Sequence, residues 1–169
     1  MTRHSSFNAD EPLAYMLTWT TYGTWLPGDE RGWNRRGKPE IQPPSALFVE
    51  MARSRMKEPA FHLLPAHRRI VEETIRNHCE IRGWRLHAIN VRTNHVHAVL
   101  TAPGYHPATA REQLKSWCTR KLKHAGVRRN RCWTEGGSCR WINQEDDLET
   151  AITYVVEAQD RKGAEEGRC

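Results

Sequence analysis

Residues 93–100, "TNHVHAVL", constrain the fold more than any other stretch of the chain. A strand sends successive side chains to opposite faces, so His95, His97, Val99 and Thr101 share one face while Val96, Ala98 and Leu100 share the other. The second set is wholly apolar and belongs on a core. The two imidazoles then stand side by side on the opposite face, roughly 6–7 Å apart at their bases. From that spacing two neutral rings can close on one divalent metal. A short H-x-H pattern is unspecific by itself, so its meaning depends on the elements around it.

Those elements read clearly. Residues 13–22, "LAYMLTWTTY", are rich in β-branched and aromatic side chains and predict a first strand. Residues 46–57 predict a short helix. Residues 65–82 predict a longer one, with Ile70, Val71, Thr74, Ile75 and His78 at helical spacing and Gly83 placed to end it. "WRLHAINV" (84–91) and "HVHAVLTA" (95–102) read as two strands joined by a tight turn. A helix follows over 107–124, then a short strand or hairpin within 132–142, then a final helix over 144–162. The order predicts an α+β fold: a ferredoxin-like βαββαβ antiparallel sheet with helices on one face, plus an appended C-terminal helix. The uncovered sheet face would present His95 and His97 to a ligand. One domain over 1–169 is expected, interrupted at 23–45 by a long Gly- and Pro-rich basic loop.

Charge is distributed unevenly, and the distribution says more than the net +6. Between 111 and 131 there are eight Lys/Arg against one acid, Glu112, whereas 144–166 holds eight acids against Arg161 and Lys162. The basic block, with Lys115, Arg120, Lys121, Lys123, Arg128 and Arg129, is read as a phosphate-backbone footprint rather than a merely solvated helix face. The 23–45 loop adds Trp25 and Trp33 among Arg31, Arg35 and Arg36, the aromatic-plus-cation mixture that grips nucleic acid. No run approaches 18 apolar residues and the first residues lack a signal-peptide core, so a cytoplasmic protein without a membrane span is expected. Five cysteines form no C-x-x-C, which favours reduced thiols.

Taken together, the chain resembles the single-tyrosine HUH transposases, the family of the smallest insertion sequences and the REP-associated tyrosine transposases. "NHVHAVL" resembles the family's Asn-His-Val-His strand motif. "GWRLHAINVRTNHVH" has its spacing from helix end to motif, and "AITYVVEAQD" resembles its tyrosine helix, with Tyr154 in the nucleophile's place. The resemblance implies a nickase-ligase that acts in DNA transposition through a 5′-phosphotyrosine intermediate, with Tyr154, His95 and His97 as catalytic residues. It also implies a divalent ion, Mg²⁺ or Mn²⁺, on His95, His97 and an amide from the last helix. Single-stranded DNA with hairpin-containing ends would be the partner, the protein would be a homodimer, and no nucleotide cofactor would be needed. One position departs from the pattern. The amide usually follows the tyrosine by four residues, where this chain has Ala158, and Gln159 comes five residues on. At 100° per residue Gln159 is turned about 140° from Tyr154, so its use as a ligand requires a π-bulge; otherwise Glu157 or water completes the set.

Read without the resemblance, Tyr154 lies at the edge of the apolar stripe Leu148, Ala151, Ile152 and Val155, a common structural position. Asn94, just before the pair, could fix the turn or one of the rings, and the simple turn reading is preferred. The main alternative function is a catalytically decayed or domesticated relative that binds DNA hairpins as a regulator. A 2H-type phosphoesterase would need two H-x-[ST] motifs, a pair the chain lacks. An RNA-binding ferredoxin-like module would need an RNP1-like aromatic string, and none occurs.

Overall fold

A computed structural model describes residues 11–157 of the chain. Its centre is strand β1 (Ala14–Thr20), whose odd-numbered residues Tyr15, Leu17 and Trp19 are buried on one face while Ala14 and Met16 are buried on the other. After β1 come a small hairpin, β2 (Trp33–Asn34) and β3 (Ile41–Gln42), and a short helix α1 (Ala46–Ser54). Helix α2 (Pro65–Arg82) then leads to β4 (Arg85–Val91) and β5 (His95–Thr101). Helix α3 (Pro107–His124), strand β6 (Ser138–Ile142) and helix α4 (Glu145–Glu157) complete the described chain.

The main sheet has the order β4-β5-β1-β6, and every neighbouring pair is antiparallel. This is the expected ferredoxin-like arrangement: α2 and α3 each cross over to the next strand, and β4–β5 is a direct hairpin. The boundaries of the two long helices follow from local chemistry. Pro65 and Pro107 open them, and Gly83 closes α2 in the left-handed conformation at φ 68°, where a side chain would be strained.

The sheet carries a core on each face. On one, Leu17, Trp19, Val96, Ala98 and Leu100 pack with Val71, Ile75 and Cys79 of α2 and Leu114, Cys118 and Leu122 of α3. On the other, Met16, Ala88, Val99 and Ile142 pack with Ala151 and Val155 of α4. The histidine face is therefore not bare, because α4 lies over β4, β5 and β6 on that side.

The 23–45 segment, expected to be a loop, is folded. Trp33 donates from Nε1 to the Pro43 carbonyl at 2.8 Å and packs on Phe48, while Arg31 pairs with Asp29 at 2.7 Å and lies over the Trp25 ring. At Gly28, φ 92°, a Cβ would come within 2.2 Å of the Ser45 carbonyl, so only glycine lets the insertion close on α1. Two-residue strands are too short to show a period, which is why the hairpin could not be read beforehand. Cys79, Cys118, Cys132 and Cys139 are free thiols.

Candidate active site

The two histidines occupy the first half of β5, on the face covered by α4. His95 is paired across the sheet with Thr20, and His97 with Thr18 on one side and Asn90 on the other. Both are buried, His97 to 1 % exposure, and their rings meet edge to face with centroids 4.7 Å apart. The alternation that placed them on one face is thus realised.

Each ring is fixed through Nδ1. His95 Nδ1–H donates to Asn94 Oδ1 at 2.7 Å, and His97 Nδ1 lies 2.8 Å from the Thr18 hydroxyl. At His95 the proton is therefore on Nδ1 and the lone pair on Nε2, a tautomer in which an imidazole can ligate a metal, and the Thr18 hydroxyl can accept from His97 Nδ1 to give the same tautomer there. Nε2 of His97 is buried with no hydrogen-bond partner among the described residues. An orphaned buried nitrogen costs free energy unless something else engages it. Burial, reinforced by the neighbouring His95 and Arg92, pulls the His97 pKa down to about 3, so the ring is neutral around pH 7. Of the two readings of Asn94, the hydrogen bond supports the second: it is an orienting partner for the His95 ring.

These features fit a divalent cation on the pair. Among the described residues no third His, Cys, Asp or Glu joins them to make a three-ligand group, so Glu157 does not complete the set in this arrangement. Gln159 lies outside the described residues.

Helix α4 brings Tyr154 to the pair. Ala151 and Val155 are buried against the sheet, and Tyr154, one helical step from Val155, is left 38 % exposed at the edge of that contact. Its ring lies 5.9 Å from the His97 ring at an interplanar angle of 78°. The acids of the first turn, Glu145, Asp146 and Asp147, sit at the opposite end of the helix, where its dipole favours them.

The basic residues divide into two groups. Arg120, Lys121, Lys123 and Arg128 are exposed on or just beyond α3, with Arg120 over the exposed Trp117, and Arg35 and Arg36 are exposed on the insertion. Lys115 is different. It is buried to 6 % exposure, and Nζ donates to the carbonyls of Thr134 and Gly136 at 2.9 and 2.8 Å. Its reading as a surface phosphate contact is corrected: it ties the loop before β6 to α3. Helical spacing carried that signal, since Arg111, Lys115, Cys118 and Leu122 form one i, i+4, i+7, i+11 stripe, and all four are buried. Arg129 also turns inward, donating to the carbonyls of Arg131 and Pro59, and Arg31 is held by Asp29.

A sheet-borne histidine pair facing a tyrosine on a separate helix defines the class of single-tyrosine transposase-like proteins. The chain belongs to the IS200-like transposase family, whose model matches residues 55–158. That match spans His95, His97 and Tyr154, and leaves β1 and the insertion outside it. Among solved structures, the chain is similar to a REP-associated tyrosine transposase bound to a REP hairpin, at 14% identity and a TM-score of 0.52, covering 92% of this chain and 70% of that one. It is also matched to a candidate transposase from Deinococcus radiodurans at 16% identity and a TM-score of 0.45, over 89% and 92% of the two chains. No curated protein matches the sequence. Among the described residues no helix is long and apolar enough to cross a membrane.

Proposed function

We propose that this transposase cuts and rejoins single-stranded DNA, with Tyr154 as the nucleophile and His95 and His97 as metal ligands. The observation that supports this most is the exposed phenol of Tyr154 beside a buried, neutral imidazole whose Nε2 is left over. Tyr154 Oη forms a bond to the scissile phosphorus as the bond from phosphorus to the 3′-oxygen breaks. The departing 3′-oxygen takes up a proton in place of the one the phenol releases, and the 5′ side stays on the enzyme as a phosphotyrosine ester. Because one phosphodiester replaces another, an incoming 3′-hydroxyl can reverse the step without a nucleotide cofactor. A divalent ion, Mg²⁺ or Mn²⁺, would supply polarisation of the phosphate and offset its developing charge. His95 and His97 would hold it, and Gln159 is the proposed third ligand.

A path for the DNA is part of the proposal. A groove of about 410 Å³ is lined by Thr18, the partner of His97, together with Trp25, Pro27, Trp33, Thr134 and Glu135. The exposed Arg35 and Arg36 of the insertion, and Arg120, Lys121, Lys123 and Arg128 of the α3 region, supply cations for the backbone. The similar hairpin-bound transposase makes hairpin-ended DNA the first substrate to try, and a homodimer is part of the same proposal. The test is incubation with single-stranded oligonucleotides from the DNA flanking the gene, with Mn²⁺, followed by denaturing electrophoresis for a covalent protein–DNA adduct. Binding without adduct would favour a hairpin-binding regulator.

A further inference from the structure

Helix α4 is held against the sheet by a polar contact to β4 as well as by its apolar face. The side-chain amide of Asn90, on β4, donates from Nδ2 to the carbonyl of Val155 at 2.9 Å. Asn90 is the direct cross-strand partner of His97, so both side chains stand on the face that α4 covers. Val155 is the residue next to Tyr154, whose ring lies 5.9 Å from that of His97. One cross-strand step, one hydrogen bond and one peptide unit therefore connect His97 to the phenol.

The apolar contacts of α4 do not fix this distance alone. Ala151 and Val155, flanked by Leu148 and Ile152, pack on Ala14, Met16, Ala88, Val99 and Ile142, an apolar contact that is non-directional. A directed hydrogen bond to one carbonyl specifies the position of the turn where Tyr154 sits, and a half-buried amide donating there adds register that methyl groups cannot.

We propose that Asn90 is a positioning residue for Tyr154: it clamps the last turn of the tyrosine helix to the strand beside His97 and so sets the phenol's distance from the metal-binding pair. This rests on the reading of Tyr154 as nucleophile. The test uses the full chain labelled with 3-fluorotyrosine, with the Tyr154 signal assigned by its loss in Tyr154→Phe. In Asn90→Leu, which keeps the bulk and removes the donor, and in Asn90→Ala, the Tyr154 fluorine resonance should move while those of Tyr15, Tyr22 and Tyr105 stay. Under single turnover, adduct formation should slow on the order of tenfold or more, since small misplacements of a reacting group are costly. Affinity for the same oligonucleotide should stay within about twofold, because the Asn90 amide is bonded to the Val155 carbonyl and acts through Tyr154. An unmoved Tyr154 resonance in both variants overturns the inference. So does a moved resonance with an unchanged adduct rate, which would leave Asn90 a structural contact only. The resonance needs neither DNA nor metal, so a wild-type protein that forms no adduct would count against the proposed chemistry while the clamp is still read directly.

Discussion

Thr18 and His97 face each other across the β1–β5 pair, with the threonine hydroxyl 2.8 Å from His97 Nδ1. This contact engages Nδ1 and so fixes the ring, leaving Nε2 as the nitrogen without a hydrogen-bond partner among the described residues. β1 lies outside the stretch matched by the family model, yet it supplies the partner that orients a histidine inside that stretch.

Thr18→Val keeps the shape of the side chain and removes the hydroxyl. Affinity for Mn²⁺, measured by calorimetry on the DNA-free protein, should fall about 10–100-fold, the usual cost of losing an orienting partner. Thermal stability should fall by about 1 kcal/mol. Unchanged Mn²⁺ affinity would show that Thr18 has no part in holding the ring.

His97 is buried with an orphaned Nε2, so its removal has an unusual expected effect on stability. His97→Leu replaces the ring by an apolar group of similar bulk, and the metal-free protein should keep its stability to within about 1 kcal/mol. Metal binding and DNA cleavage should be lost together. Stability sacrificed for a ligand site is common where a chain breaks a packing rule. Loss of several kcal/mol in equilibrium urea unfolding would instead make His97 a packing residue.

The basic residues should separate by burial. Changing Arg120, Lys121 and Lys123 to Glu should flatten the dependence of log K on log salt by about 0.7 for each lost contact to a single strand. Lys115→Met should leave that slope alone and cost about 1–3 kcal/mol, because the carbonyls of Thr134 and Gly136 lose their buried donor. Salt titrations of binding, run beside denaturation curves, distinguish the two. A flattened slope in Lys115→Met would return this lysine to the surface footprint.

Acid should destabilise the fold partly through His78. Burial holds its pKa below the ordinary 6.5, Arg82 adds to that, and a hydrogen bond with Gln113 opposes it. Below about pH 6.5 the unfolded chain takes up a proton that the folded ring resists, so stability falls as pH falls. His78→Phe, which can still pack on Trp84 and Trp117, should show a smaller drop in urea midpoint between pH 7.5 and 5 than the wild type. A residual drop is expected from the half-buried His87 and above all from the buried His97, both held below the ordinary value chiefly by burial. Equal drops in both proteins would exclude His78.

What the sequence revealed depended on the length of the signal. Helices α2 and α3 run from proline to the last periodic residue as expected, and seven alternating residues were enough to place His95 and His97 on one face. The β2–β3 hairpin has two residues in each strand and leaves no period to detect. Lys115 was misplaced because charge was weighed above helical spacing. Asn90 and Thr18 could not be singled out at all, since their roles arise from strand register, a property of pairing that no local pattern records.

The central claim is that Tyr154 is the nucleophile, and intact-mass spectrometry tests it most directly. Wild-type protein and Tyr154→Phe are each incubated with Mn²⁺ and the same single-stranded flanking oligonucleotide, then denatured and digested. The expected result is a mass increase equal to the 5′-phosphorylated DNA fragment less one water, mapped to the peptide holding Tyr154, in the wild type and absent from the variant. An adduct of the same mass in Tyr154→Phe, carried by another residue such as Tyr105, would contradict it.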